Sequence, residues 1–108
     1  MANTFKNFFS KSVGTSAATI YTCPSSTQTT VIGMSIGNTT TSPITCDVFV
    51  TSSAVDYYVV KGATVPVGGS LVPIGGDQKL CLEAADVLKV VSSAASSADV
   101  IASLLEIA

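Results

Sequence analysis

A chain of 108 residues that is 47% hydrophobic and 11% charged can hold one core but not a core plus a deep catalytic cleft, and its balance is the opposite of a disordered segment. A net charge of -2, no arginine, and five scattered lysines at 6, 11, 61, 79 and 89 exclude the basic patch that a nucleic-acid binder presents. The apolar runs are only a few residues long and exclude a membrane-spanning helix, which needs about twenty.

The charged fraction is less than half of the roughly 25% typical of a soluble domain, which points to a surface covered by neighbouring chains. Residues 1–16 differ from the rest and read as an N-terminal arm. Phe5, Phe8 and Phe9 stand at i, i+3 and i+4, the spacing of one face of a helical turn. Lys6, Asn7 and Lys11 would face away, and Gly14, Thr15 and Ser16 break the pattern. No apolar run follows Lys6 and Lys11, so no secretory signal is expected. Two fates of the arm stay open: it caps its own domain, or it docks on a neighbouring subunit. Exposed aromatics are costly unless covered, and aromatics are favoured interface anchors. Phe5, Phe8 and Phe9 are therefore the candidate protein interface.

Residues 17–108 read as strands separated by turns. The first runs from 18 to 23 and stops at Pro24. The second covers 31–38, with Ile32, Met34 and Ile36 on one face. The third, 44–51, alternates Ile44, Cys46, Val48 and Val50 inward with Thr45, Asp47 and Thr51 outward. The fourth, 57–61, is β-branched and aromatic; adjacent strand residues point oppositely, so of Tyr57 and Tyr58 one is expected in the core and one on the surface. Pro66, Gly68, Gly69 and Pro73 leave room for only a short strand at 71–72. Gly75, Gly76 and Asp77 mark a turn. Strands at 79–83, 87–92 and 100–107 complete the chain.

Seven to eight short strands at regular spacing predict an all-β fold, an antiparallel β-sandwich of jelly-roll or Ig-like type. The last strand carries Val100, Ala102 and Leu104 on one face and Ile101, Leu105 and Ile107 on the other. Both faces are apolar, the pattern of a strand covered on both sides. In a two-layer domain, either the arm or another subunit must supply the second cover.

The chain contains no histidine, so a serine nucleophile would lack its usual base. There is no phosphate-binding glycine loop at a strand-to-helix junction. The pairs Gly68-Gly69 and Gly75-Gly76 read as turn glycines. Asp77, Glu83 and Asp86 read as solvated acids before they read as a carboxylate pair or a calcium site. Asn38-Thr39-Thr40 matches a glycosylation sequon by chance as readily as by design. Cys23, Cys46 and Cys81 are odd in number, widely spaced and outside any CxxC pattern, so they read as small buried hydrophobes in a reducing cytoplasm, with no intrachain bridge. A three-thiolate metal site would need a fourth ligand, which no histidine can supply. No catalytic residue, cofactor or metal is expected.

The order of segments carries a resemblance. Ile20-Tyr-Thr-Cys-Pro24 is followed by Val31-Ile-Gly-Met-Ser-Ile-Gly-Asn-Thr39 and Pro43-Ile-Thr-Cys-Asp-Val48. Then come Asp56-Tyr-Tyr-Val-Val-Lys-Gly-Ala63, Val65-Pro-Val-Gly-Gly-Ser-Leu71, Gly75-Gly-Asp-Gln-Lys-Leu80, Ala85-Asp-Val-Leu-Lys-Val90 and Leu105-Glu-Ile107. Over residues 17–108 the chain resembles small structural proteins of tailed bacteriophages, especially marine cyanophages. The resemblance implies a β-sandwich virion protein without enzymatic activity, an accessory or decoration component of the head or neck, with tail or fibre attachment as the alternative. It implies other virion proteins (capsid, neck or tail) as partners and assembly in the cytoplasm of a host bacterium, and homo-oligomerisation fits the low charge. A carbohydrate-binding host-recognition module on the same scaffold ranks below it, because the chain has no tryptophan.

Overall fold

Residues 44–52 show how the sequence builds the fold: Ile44, Cys46, Val48 and Val50 are buried while Thr45 is exposed, as the alternation requires. The computed structural model describes residues 3–75 and 78–108. Among these it has nine strands: β1 (Asn3–Val13), β2 (Ala18–Thr22), β3 (Gln28–Asn38), β4 (Ile44–Ser52), β5 (Val55–Val65), β6 (Ser70–Ile74), β7 (Leu80–Leu82), β8 (Val87–Ser92) and β9 (Ala98–Ile107). The described residues contain no helix, and no helix is long and apolar enough to cross a membrane.

The strands form two antiparallel sheets. One has the order β1-β9-β3-β6, with β7 also paired to β3; the other has the order β2-β8-β4-β5. Pairing is nested: β4 with β5, β3 with β6 and β7, β2 with β8, β1 with β9. This is one long hairpin rolled up into two facing sheets, the jelly roll, and it decides between the two sandwich types that the sequence left open. At the hairpin tip, Ser53 and Ala54 both have positive φ, 52° and 64°, the geometry of a two-residue type I′ turn. The core between the sheets holds Ile36, Ile74, Leu82, Leu88, Leu104 and five fully buried valines.

Four expectations need correction. The helical turn proposed for Phe5, Phe8 and Phe9 is not formed. Residues 3–13 are the ninth strand, β1, in register with β9 from Asn3↔Ile107 to Ser10↔Val100. The free edge of β9 offers backbone partners all along the segment, and an isolated helical turn has none outside itself. Second, β3 does not keep one face inward along its length. The register slips between Val31 and Gly33, so Thr29 and Val31 are buried before the slip and Met34 and Ile36 after it, and Ile32 turns outward. A glycine inside a strand is the usual mark of such a bulge. Third, neither Tyr57 nor Tyr58 is buried; they are 59% and 45% exposed. They do point oppositely, but β5 is an edge strand and leaves both rings at the rim. Fourth, Cys81 is exposed, because Leu80 and Leu82 take the inner side of a three-residue edge strand. The strands starting at 55 and 98 also begin earlier than the sequence suggested.

Candidate assembly interface

Strand alternation divides the three phenylalanines. Phe5 and Phe9 stand on the outer face of the β1-β9-β3 sheet with Asn7 and Lys11, while Lys6, Phe8 and Ser10 turn toward the other sheet. On β9 the outward residues are Asp99, Ile101, Ser103, Leu105 and Ile107. Register places Phe5 beside Leu105, Asn7 beside Ser103 and Phe9 beside Ile101. Phe5 is 75% exposed, Phe9 68% and Ile101 51%, and Leu105 and Ile107 are half-buried. Ile32, displaced outward by the bulge in β3, borders a shallow depression with Phe5, Asn7 and Ser103. A second depression lies among Phe9, Lys11, Asp99 and Ile101.

The second apolar face of β9 is therefore bare. Residues 3–13 lie beside β9 in the same sheet, not over it, so they do not supply the cover that Ile101, Leu105 and Ile107 call for. The opposite sheet shows the contrast. There the outward Phe49 is only 6% exposed, since the Tyr58 ring sits 5.0 Å away and the Lys61 ammonium lies 4.3 Å above Tyr58. Charge is sparse on the bare face: among the described residues of β1, β9 and β3, the outward positions include two charges, Lys11 and Asp99.

Behind that face, the inward residues of β1 fasten it to the core. Phe8 packs edge-on against Tyr21 of β2. Lys6 Nζ lies 3.1 Å from Glu106 Oε1. Tyr21 donates to Glu106 Oε2 at 2.5 Å and lies 2.8 Å from Thr29 Oγ1. The Cys23 thiol donates to the Thr27 carbonyl and touches Thr29 Oγ1, both at 3.4 Å. Glu106 is buried yet fully partnered, and the Tyr21 hydroxyl, with help from Lys6, holds its carboxyl below the usual carboxylate range against the opposing effect of burial. Burial first, then the bond to Glu106, pushes the Tyr21 hydroxyl well above its ordinary value. Sequence reading missed this network. Its signal was a glutamate at the same parity as Leu104 and Ala102, on the otherwise apolar inner face of the strand.

Other candidate features resolve into structure. Asn38 of the sequon is buried, its amide donating to the carbonyls of Ser42 at 2.9 Å and Val65 at 3.1 Å; an amide so engaged is no glycan acceptor. Asp86 closes a turn, accepting from Glu83 N at 2.9 Å and Ser52 Oγ at 2.7 Å. Asp77 lies outside the described residues, as does Gly76, and among the described residues no group of three potential metal ligands converges. All three cysteines are free, Cys23 and Cys46 buried. Between β5 and β7 the sandwich opens into a groove of about 570 Å³, lined in part by Ser52, Tyr57, Val59, Gln78 and Leu80.

No protein-family model matches the chain, and no curated protein matches it. Among solved structures, the chain is similar to a protein of Bacillus endospore appendages, described as a novel family of disulfide-linked pili. The TM-score is 0.59 at 17% identity, covering 97% of this chain and 85% of that one. Similarity to a chain of the Gt strain of infectious bursal disease virus is weaker, with a TM-score of 0.42 at 7% identity, covering 96% of this chain and 35% of that one. At these identities the likeness to the appendage protein shows a shared fold.

Proposed function

We propose that the chain is a non-enzymatic structural subunit, an accessory or decoration component of the head or neck of a tailed bacteriophage, assembled through subunit contacts in the cytoplasm of its bacterial host. The observation that carries this reading is the bare apolar face of the β1-β9 sheet, where Phe5, Phe9 and Ile101 stand in solvent on a chain with few charges. Large uncovered patches of this kind mark protein contacts. The appendage protein of similar fold is itself a pilus component, which supports a role in assembly. The free thiols fit a reducing compartment. Location at the tail or fibre attachment is the alternative position for the same subunit.

The test is incorporation. Phages carrying Phe5→Thr and Phe9→Thr are expected to lose this chain from purified particles while its soluble level in the host stays unchanged. Imaging of intact particles should place the β1-β9 face against protein. A face left open to solvent in every copy would sink the reading. The groove beside Tyr57 favours carbohydrate binding as a second reading, since an exposed ring with Ser52 and Gln78 nearby suits a sugar. Glycan-array binding abolished by Tyr57→Ala would support it, and an array with no signal would remove it.

A further inference from the structure

The bare face has the chemistry of its own partner. Resting on the reading of that face as a subunit contact, we infer that a second copy of this chain covers it, stacked sheet on sheet about a two-fold axis that runs parallel to the strands between β1 and β9.

The register carries the argument. Residues whose numbers sum to 110 stand side by side on β1 and β9: Phe5 with Leu105, Asn7 with Ser103, Phe9 with Ile101. A two-fold axis along the strands keeps each residue at its height and exchanges the two strands. Phe5 then lies over Leu105 of the partner subunit, and Phe9 over Ile101 of the partner subunit. The small pair Asn7 and Ser103 stands between these two levels and leaves room for the phenylalanines on either side. Lys11 and Asp99 flank the same depression, just beyond Phe9 and Ile101, where a bulge in β1 shifts the register. The same axis brings each Lys11 over Asp99 of the partner subunit, so the two outward charges of this face are both neutralised. A two-fold axis across the strands would instead lay β1 on its own copy and set Lys11 at the opposite end, over Asn3 beside Ile107, where no carboxylate side chain faces outward.

The area is sufficient for a weak but specific contact. An 11-residue strand at about 3.3 Å per residue, across three strands at about 4.8 Å, gives about 500 Å² of sheet per copy and about 1,000 Å² for the pair, the lower bound of a specific interface. Stacking with strands nearly aligned is the common mode for two sheets face to face. A contact of this size is only marginally populated in dilute solution and fills at the local concentrations of an assembly.

Sedimentation velocity over a concentration series tests the inference on the full chain. The wild type is expected to pass reversibly from monomer to dimer. Phe5→Thr with Phe9→Thr is expected to stay monomeric with its thermal midpoint nearly unchanged. K11D alone sets like charge against like charge twice in the dimer and should weaken it about tenfold or more; D99K alone should do the same. The double variant K11D/D99K should recover wild-type dimerisation. Circular dichroism melts of each variant keep folding separate, since Asp99 also accepts from Ser12 N at 2.9 Å; with D99K unfolded, K11D alone still decides. A wild type that is monomeric up to millimolar concentration overturns the dimer. So does a dimer that survives the phenylalanine variants, or one indifferent to K11D. If the chain is monomeric and the phenylalanine variants are still lost from particles, the self-contact fails and the structural function stands, with a different virion protein on the face.

Discussion

The Phe8 ring meets the Tyr21 ring edge-on, centroids 5.0 Å apart and planes at 61°, and this single contact separates Phe8 in kind from its neighbours Phe5 and Phe9. Phe8 reaches across from one sheet to a strand of the other; the other two rings touch mainly solvent. Phe8→Ala is expected to cost about 2 kcal/mol, a partly buried ring plus its aromatic partner. Phe5→Thr and Phe9→Thr should each stay within about 0.5 kcal/mol, as exposed positions given a strand-forming residue. Urea midpoints check this; equal losses at all three positions would contradict the division.

Glu106 gives the fold an acid limit. Its carboxyl is held below the ordinary range by the Tyr21 hydroxyl and by Lys6, so between its folded and unfolded values the unfolded chain binds the extra proton. Stability contributed here is complete above the unfolded value of about 4.3 and is lost as pH falls below it. Tyr21 sets the alkaline counterpart. Its hydroxyl is raised, so stability declines as pH climbs past about 10. In thermal melts, Glu106→Gln should flatten the acid limb and cost about 1–2 kcal/mol at neutral pH. Lys6→Ala should cost no more than about 0.5 kcal/mol, since Lys6 is substantially exposed. An acid limb unchanged in Glu106→Gln would place the acid sensitivity elsewhere.

Asn38 ties the end of β3 to the loops around it. Its amide nitrogen donates to the Ser42 and Val65 carbonyls, and its oxygen accepts from Thr40 N at 2.9 Å and Thr40 Oγ1 at 2.8 Å. Asn38→Ala is expected to cost about 2–3 kcal/mol by leaving these groups unpartnered. Asn38→Asp should cost at least as much, because a carboxylate would face carbonyl oxygens. Chemical denaturation measures both; a neutral Asn38→Ala would show the loops holding themselves.

The thiols should separate by accessibility. Burial raises the Cys46 thiol, partly offset by its bond to Ser92, and Cys23 lies inside the Tyr21–Thr29 cluster. An aromatic disulfide reagent is expected to titrate Cys81 alone in the native chain and all three after unfolding. Non-reducing mass spectrometry should find no intrachain bridge. Rapid native labelling of Cys23 or Cys46 would contradict the packing.

The strands with strict alternation were legible from residues alone. Ile44, Cys46, Val48 and Val50 declare their inward side, and Val100, Ala102 and Leu104 theirs. What hid was whatever depended on a partner far along the chain. Phe5, Phe8 and Phe9 satisfy a helical spacing and a strand spacing equally well, and only the vacant edge of β9, more than ninety residues on, selects the strand. Ile32 looked inward because a bulge changes parity without changing composition. Of the interface, the two-faced last strand was readable; the outer face that Phe5 and Phe9 share with Leu105 and Ile101 was not, because it exists only once β1 and β9 are side by side.

The nested pairing also sets a schedule for folding. β4 and β5 are joined by two residues and can zip at once, whereas β9 must slot between β1 and β3 across almost the whole chain. Until residue 107 has cleared the ribosome, β1 and β3 each present an unpaired edge, and the larger sheet cannot close. Folding of this domain is therefore completed after synthesis of its final strand and not during it, at the slow rate that long-range strand pairing imposes. Ribosome-stalled chains that end before residue 98 should remain sensitive to protease throughout, apart from the β4–β5 hairpin.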